Sequence, residues 1–403
     1  VPTANELLFD ASVRHQIGVR RFQSGEVRRV LTILEKADRE LTEMLRLRLI
    51  KFGDAPPDFR SKRFGRLLAD VRGARKIAMQ QVRTQITGSL VKLAPLEVDF
   101  EQRMIRSSVP VEFNFAAVET SQLRTIVFSR PFQGRLLREW YMDLAAIDRG
   151  NLRAAIQLGM SQGESIPAIV RRVAGTRARN FTDGALAITR RKAETIVRTA
   201  VNHVSNRARE TMWDANSDVI SAIRWTAMLD GRTTPICRAR DGTFTTVGGR
   251  ALPAEFAPLQ PAGARPPAHM ACRSVMIAAV DGVGIVGQKP FVRDTRTRRL
   301  REVDFRKIAR NTGKSVSRVR REWISENIGT VPSKTTYNQF LKRQPAAFQD
   351  QALGQTKGKL FRKGELDVDK FVDVKGNELT LTQLADSQPE AFVKAGLKPE
   401  DFN

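Results

Sequence analysis

Between Phe22 and Ile50, apolar residues recur at Val27, Val30, Leu34, Ala37, Leu41 and Met44, in steps of three and four that keep one stripe on one face of a helix. The stretch GDAPPDFRS ends this pattern, because Gly53 and the pair Pro56-Pro57 cannot continue a helix. A second stripe through Leu67, Leu68, Val71, Ala74, Ala78, Val82 and Ile86 predicts a return helix. Together the two predict a long helical hairpin whose opposite faces are solvated and rich in arginine.

An extended passage, VPVEFNFAAV, is followed by three shorter helical patterns, RLLREWYMDLAAI, NLRAAIQLGMSQG and SIPAIVRRVAG. Ser165 is placed to cap the last, with Pro167 in its first turn. A longer helix runs through Ile196, Ala200, Val204, Ala208 and Met212, all four apart and hence on one face. His203 lies beside that stripe and reads as a packed or exposed side chain. Near residue 220 the period drops towards two. SAIRWTAML reads as a strand, and ICRARDGTFTTV as two short strands joined at Asp241-Gly242, a hairpin signal. The loop LPAEFAPLQPAGARPP follows, then CRSVMIAAV as a further strand.

From Arg293 the chain turns basic, in a helix-containing arm, and it ends in a compact tail of short helices. The expected fold is α+β, predominantly α-helical. Its expected divisions are a helical hairpin over 1–110, a helical middle domain over 111–219, a small β-containing Cys/His subdomain over 220–292, a basic arm over 293–330 and a tail domain over 331–403.

Length agrees with several units, since 403 residues exceed one ordinary core. Charge adds more: 68 Lys and Arg against 43 Asp and Glu leave a formal net charge of +25. Such an excess points to a polyanion, because each cation that neutralises a phosphate releases counterions. Nucleic acid is the first expectation and an acidic protein surface the second. No apolar run approaches the roughly 18 residues that span a bilayer, and VPTANELLFDASVRHQ lacks the layout of a secretion signal, so a soluble protein with no membrane contact is expected. Two cysteines exclude a disulfide framework and suit a reducing compartment.

Those two cysteines, Cys237 and Cys272, fall with His269 in or beside the β region. Thiolate and imidazole donors suit tetrahedral zinc, which usually takes four ligands. Three are visible, leaving a carboxylate such as Asp230 or Asp241, or a water, as the fourth. Two other readings stay open at this point: packed thiols with His269 as a loop anchor, and a Cys237–Cys272 disulfide. A nucleophilic cysteine or a metal-dependent nuclease would need further bases or paired acids, which the surrounding residues lack. GVGIVG matches GxGxxG at Gly282, Gly284 and Gly287, but Pro290 spoils the helix that would receive a pyrophosphate.

The order FQGRLLREWYMDL, NLRAAIQLGMSQGESIPAIVRRVAG, AETIVRTAVNHVSNRARE, WTAMLDGRTTPICRARDG and PPAHMACRS resembles the phage head morphogenesis family, the Mu F-like minor head proteins of tailed phages. The resemblance covers roughly residues 130 to 280, and YNQFLKRQPAAFQDQALGQTKGKLFRKGEL is similar to the C-terminal extension of many members. Its most specific part is an Asp-Gly-Arg-Thr turn and a Cys followed, after a variable loop, by His-x-x-Cys-Arg. These fall on Asp230, Arg232, Thr233, Cys237, His269, Cys272 and Arg273. Where the family often has Arg-Thr-Glu, this chain has Arg198-Thr199-Ala200.

The resemblance implies a structural, non-enzymatic minor capsid protein made in the host cytoplasm and held in the virion near the portal vertex. Its implied partners are the portal protein and the major capsid or scaffolding protein. The net positive charge independently fits a surface that meets packaged double-stranded DNA without sequence preference, with Arg296, Arg298, Arg299, Arg301, Arg320 and Arg321 as candidate contacts. The alternatives are a metal-dependent nuclease using His269 and a stand-alone DNA-binding protein.

Overall fold

The computed structural model describes residues 4–52, 59–108, 114–218, 220, 222–247, 264–279, 288–294, 296 and 298–402. Two long helices, α1 (Ala4–Ile50) and α2 (Lys62–Ser108), form the expected hairpin. The first begins well before Phe22, where Leu8 and Phe9 carry the buried stripe further toward the amino terminus. Leu34 and Val30 of α1 are buried with Val82, Ile86 and Leu90 of α2 in the main core.

Helices α3 (Thr120–Phe128), α4 (Leu137–Ser161), α5 (Ile166–Ala174) and α6 (Ala185–Ala215) pack onto the hairpin. The patterns expected as two helices on either side of residue 150 are one helix, α4. Gly150 is exposed on it, and its helix penalty of about 1 kcal/mol is outweighed by the continuous buried stripe Tyr141, Leu144, Leu152, Ala155 and Ile156. Ser165 occupies the capping position of α5, but its side chain makes no capping bond; its carbonyl accepts the Ala168 and Ile169 amides instead. His203 is buried against Phe132, with ring centroids 5.3 Å apart.

An antiparallel sheet of order β3-β1-β4 follows, built from β1 (Ala222–Thr226), β3 (Phe244–Thr246) and β4 (Val275–Ala279). ICRAR is not a strand. It lies in a short helix, α7 (Pro235–Arg240), with Thr234 at its cap and Pro235 in its first turn, and this start signal overrides the local alternation. The second sheet, of order β2-β5-β6, joins β2 (Leu229–Asp230), β5 (Gln288–Val292) and β6 (Ile328–Pro332). β5 and β6 pair antiparallel, so the basic arm leaves and rejoins one sheet. It contains α8 (Arg298–Thr312) and α9 (Val316–Asn327), closed over Phe305, Ala309 and Val319. The tail forms its own core around Tyr337, Phe340, Leu360 and Phe392, onto which Leu229 packs.

Residues 109–113 of VPVEFNFAAV, residues 252–263 of the Pro-rich loop and the GxGxxG match lie outside the described residues. No helix among the described residues is long and apolar enough to cross a membrane.

Charged groups are buried where α2 meets α6. Glu97 accepts bonds from Ser205 Oγ at 2.7 Å and His15 Nε2 at 3.0 Å, and Arg209 Nη1 reaches Glu101 Oε1 at 3.4 Å. Burial, opposed by Arg209 and reinforced by Glu97, pushes the Glu101 carboxyl from 4.5 up to about 7. A carboxyl raised on folding holds a proton that the unfolded chain has released. Its contribution to stability is complete below pH 4.5 and is lost as pH rises through about 7. Glu101→Gln is expected to remove this part of the pH dependence. Denaturant unfolding of both proteins at pH 4.5 and pH 7.5 checks it, and parallel slopes would exclude Glu101 as the source.

Candidate Cys/His centre

α7 carries Cys237 on its buried face, and the turn leading into β4 carries His269 and Cys272. Cys237 Sγ lies 3.7 Å from Cys272 Sγ and 3.3 Å from His269 Nε2. The three donor atoms all fall within 4.8 Å of one another. Both cysteines are free thiols and almost completely buried, while His269 is half-buried. Thr234 at the cap of α7 closes the group, its Oγ1 standing 2.8 Å from His269 Nε2.

The turn is held from three sides. Thr199 Oγ1 accepts the Ala271 amide at 2.8 Å, Asn202 Nδ2 donates to the Ser274 carbonyl at 3.0 Å, and Asn206 Oδ1 accepts the Met276 amide at 3.0 Å. With Arg209, which donates to the Met276 carbonyl at 3.3 Å, these α6 residues form a buried polar stripe in steps of three and four. The apolar stripe of the same helix is legible as a run of hydrophobic residues, whereas this polar stripe carries no hydrophobic signal. Helical spacing of Thr199, Asn202, Asn206 and Arg209 is the signal that could have found it.

Asp230 ends β2 beside this centre. Arg273 reaches it with both terminal nitrogens, at 2.5 and 2.8 Å, and the Thr233 hydroxyl and Arg232 amide donate to Oδ1 at 3.0 and 3.1 Å. Burial opposes ionisation, but these donors outweigh it and hold the Asp230 carboxyl below its ordinary range. Tyr337 Oη donates to the Asp230 carbonyl at 2.8 Å, and Arg20 of α1 donates to the Arg273 carbonyl. Hairpin, Cys/His centre and tail therefore meet here.

The expected carboxylate fourth ligand is not found among the described residues. Asp230 is taken by Arg273, and Asp241 by Lys289 Nζ, 2.7 Å from each of its oxygens. Neither belongs to the three-donor group. The thiols differ in character. The bond to Cys237 and, after burial's opposing effect, the His269 contact take Cys272 well below the usual thiol range, while Cys237 is pushed well above it by the same Cys272 bond and by burial. Burial opposes protonation of His269, but the Cys272 contact outweighs it and raises the imidazole above its ordinary range.

The candidate phosphate contacts lie along the arm. Arg296 is held by Asp294 and Asp304, each at 2.6 Å. Arg301 lies over the Trp323 ring at 4.6 Å, Arg320 pairs with Glu302 at 2.7 Å, and Arg321 is exposed. The side chains of Arg298 and Arg299 lie outside the described residues.

Residues 150–277 match the family model described as Phage Mu protein F like protein. The matched span runs from the second half of α4 into β4 and takes in Asp230, Cys237, His269, Cys272 and Arg273. No curated protein and no solved structure matches the chain.

Proposed function

We propose that this chain, whose residues 150–277 belong to the phage Mu protein F-like family of head morphogenesis proteins, is a minor structural protein of a tailed-phage head, seated inside it near the portal vertex. The family match carries the reading. In it the chain contacts the portal protein and the major capsid or scaffolding protein, and it meets packaged duplex DNA through its basic arm. A net charge of +25 supports the DNA contact, as does the arm's exposed Arg321. Arg296 and Arg320, though paired, each keep donors, since a guanidinium has five.

A structural rather than catalytic role is supported by the chemistry of the centre. Cys237 and Cys272 are each 2% exposed, too enclosed to meet a polymer backbone, and the nearby carboxylates are neutralised by Arg273 and Lys289.

Cryo-electron microscopy of purified virions and assembling heads, with the portal vertex resolved, tests the placement. Density for α1–α2 and the matched unit beside the portal is expected, and absence of the chain from both particles would overturn the reading. For the DNA contact, binding to unrelated duplexes is expected to be equal and to weaken steeply with salt, each neutralised phosphate adding roughly 0.9 to the steepness of the log–log slope. Arg320→Glu/Arg321→Glu is expected to flatten that slope by roughly 1.8, the share of two phosphates. An unchanged slope would remove the arm from the interface.

A further inference from the structure

The Cys/His donors are spaced as the edges of a metal tetrahedron. Two sulfurs each ~2.3 Å from a tetrahedral zinc lie ~3.8 Å apart, and a sulfur and an imidazole nitrogen lie ~3.6 Å apart. The observed separations are 3.7 Å between the sulfurs and 3.3 Å from Cys237 Sγ to His269 Nε2. The backbone prepares the histidine as well. His269 Nδ1 lies 2.9 Å from the Met270 carbonyl, which can only accept, so Nδ1 carries the proton and Nε2 is the nitrogen turned toward the sulfurs. A ligating histidine is ordinarily fixed in this way.

We propose that Cys237 Sγ, Cys272 Sγ and His269 Nε2 hold one zinc ion, whose fourth corner faces the Thr234 hydroxyl and is filled by a water bound to it. Soft thiolates with imidazole select zinc over the hard divalent cations. Thr234 marks the fourth corner because its hydroxyl stands 2.8 Å from Nε2. It precedes Cys237 by three residues at the start of α7. A sulfur there would complete the donor set with a Cys-x-x-Cys pair. The ion would join α7 to the turn before β4, two segments linked here through a chain stretch that includes residues 248–263. Cysteine and histidine ligands bind metal in their deprotonated forms, so affinity rises with pH.

The proposal concerns the purified chain and stands whatever its place in the virion. Full-length protein prepared under reducing conditions without chelator is expected to contain about one zinc per chain by elemental analysis. Cobalt(II) added to the metal-stripped protein is expected to give tetrahedral absorption bands with thiolate-to-metal charge transfer. Thr234→Cys is the decisive variant because it adds a ligand rather than removing one. It is expected to strengthen the charge-transfer band by about half, for three thiolates against two, and to slow zinc loss to a chelator by roughly ten-fold or more. Cys272→Ser is expected to abolish the charge-transfer spectrum or fail to fold, and Thr234→Cys keeps the test independent of that outcome. Reduced, folded protein with neither zinc nor a cobalt charge-transfer band would overturn the site. A Thr234→Cys protein with wild-type band intensity and chelator resistance would overturn the placement of the fourth corner.

Discussion

Arg75→Ala is expected to destabilise the folded chain by roughly 3–5 kcal/mol, the cost of breaking a buried ion pair by removing one partner. Arg75 of α2 is 2% exposed, with Nε and Nη2 on Asp148 of α4 at 2.8 and 3.0 Å and Nη1 on Asp38 of α1 at 2.6 Å. Thr189 of α6 donates to Asp148 at 2.8 Å, and Arg190 of α6 pairs with Asp38. Four helices therefore converge on one guanidinium and the two carboxylates it holds. Its loss leaves the Asp148 carboxylate with little besides one hydroxyl, in surroundings where burial already pushes Asp38 above its ordinary range despite Arg75 and Arg190. Denaturant unfolding gives the magnitude. A second variant, Arg75→Met/Asp148→Leu, which keeps the Asp38–Arg190 pair, is expected to recover most of the loss, because apolar groups of similar volume need no counterion. A loss below about 1 kcal/mol for Arg75→Ala would show the carboxylates to be hydrated rather than buried.

Asp241→Ala is expected to cost about as much, roughly 3–5 kcal/mol, and to act on the junction with the tail. Asp241 accepts the Ala227 amide and the Tyr337 amide, each at 2.7 Å, besides both bonds from Lys289. It thus ties the turn after β1 to β5 and to the first turn of α10 (Tyr337–Lys342). Without it the Lys289 ammonium stays buried beside Arg224 with no counterion. Burial already brings that ammonium from 10.5 down to about 8, against the attraction of Asp241. Limited proteolysis is expected to cut the variant faster in the arm and tail while α1 to α6 remain intact. The double variant Asp241→Asn/Lys289→Met is expected to restore resistance, because it removes the buried cation with the anion. Equal cleavage of wild type and Asp241→Ala would show that the tail core alone fixes the junction.

The amino-acid sequence by itself determined the elements whose signals are local. The apolar stripes of α1, α2 and α6 and the Pro167 start of α5 stand in the order of side chains along a few turns. β1 and β4 were legible as short apolar runs. Charge was equally direct, since a sum over residues needs no fold. The resemblance that led to the head-protein family rested on short motifs, and the family model matches residues 150–277.

Tertiary structure decided what depends on residues distant in the chain. Arg75 lies among the arginines expected on a solvated face of the hairpin, and only the crossing of four helices buries it with Asp38 and Asp148. α7 had competing local signals, an alternation favouring a strand and a Thr-Pro start favouring a helix, and packing of Cys237 inward settled the choice. β5 and β6 have no legible local signal because Pro290 and Gly329 weaken any strand pattern, and their pairing depends on residues that flank the basic arm. Within the candidate centre, His269 and Cys272 lie close in sequence, but Cys237 reaches them across more than thirty positions. Asp230 and Asp241, plausible ligands by composition, were claimed by cations from β4's approach and β5. Sequence names the donors available to a site; the partners that neutralise or exclude them come from other elements, so only the folded chain assigns them.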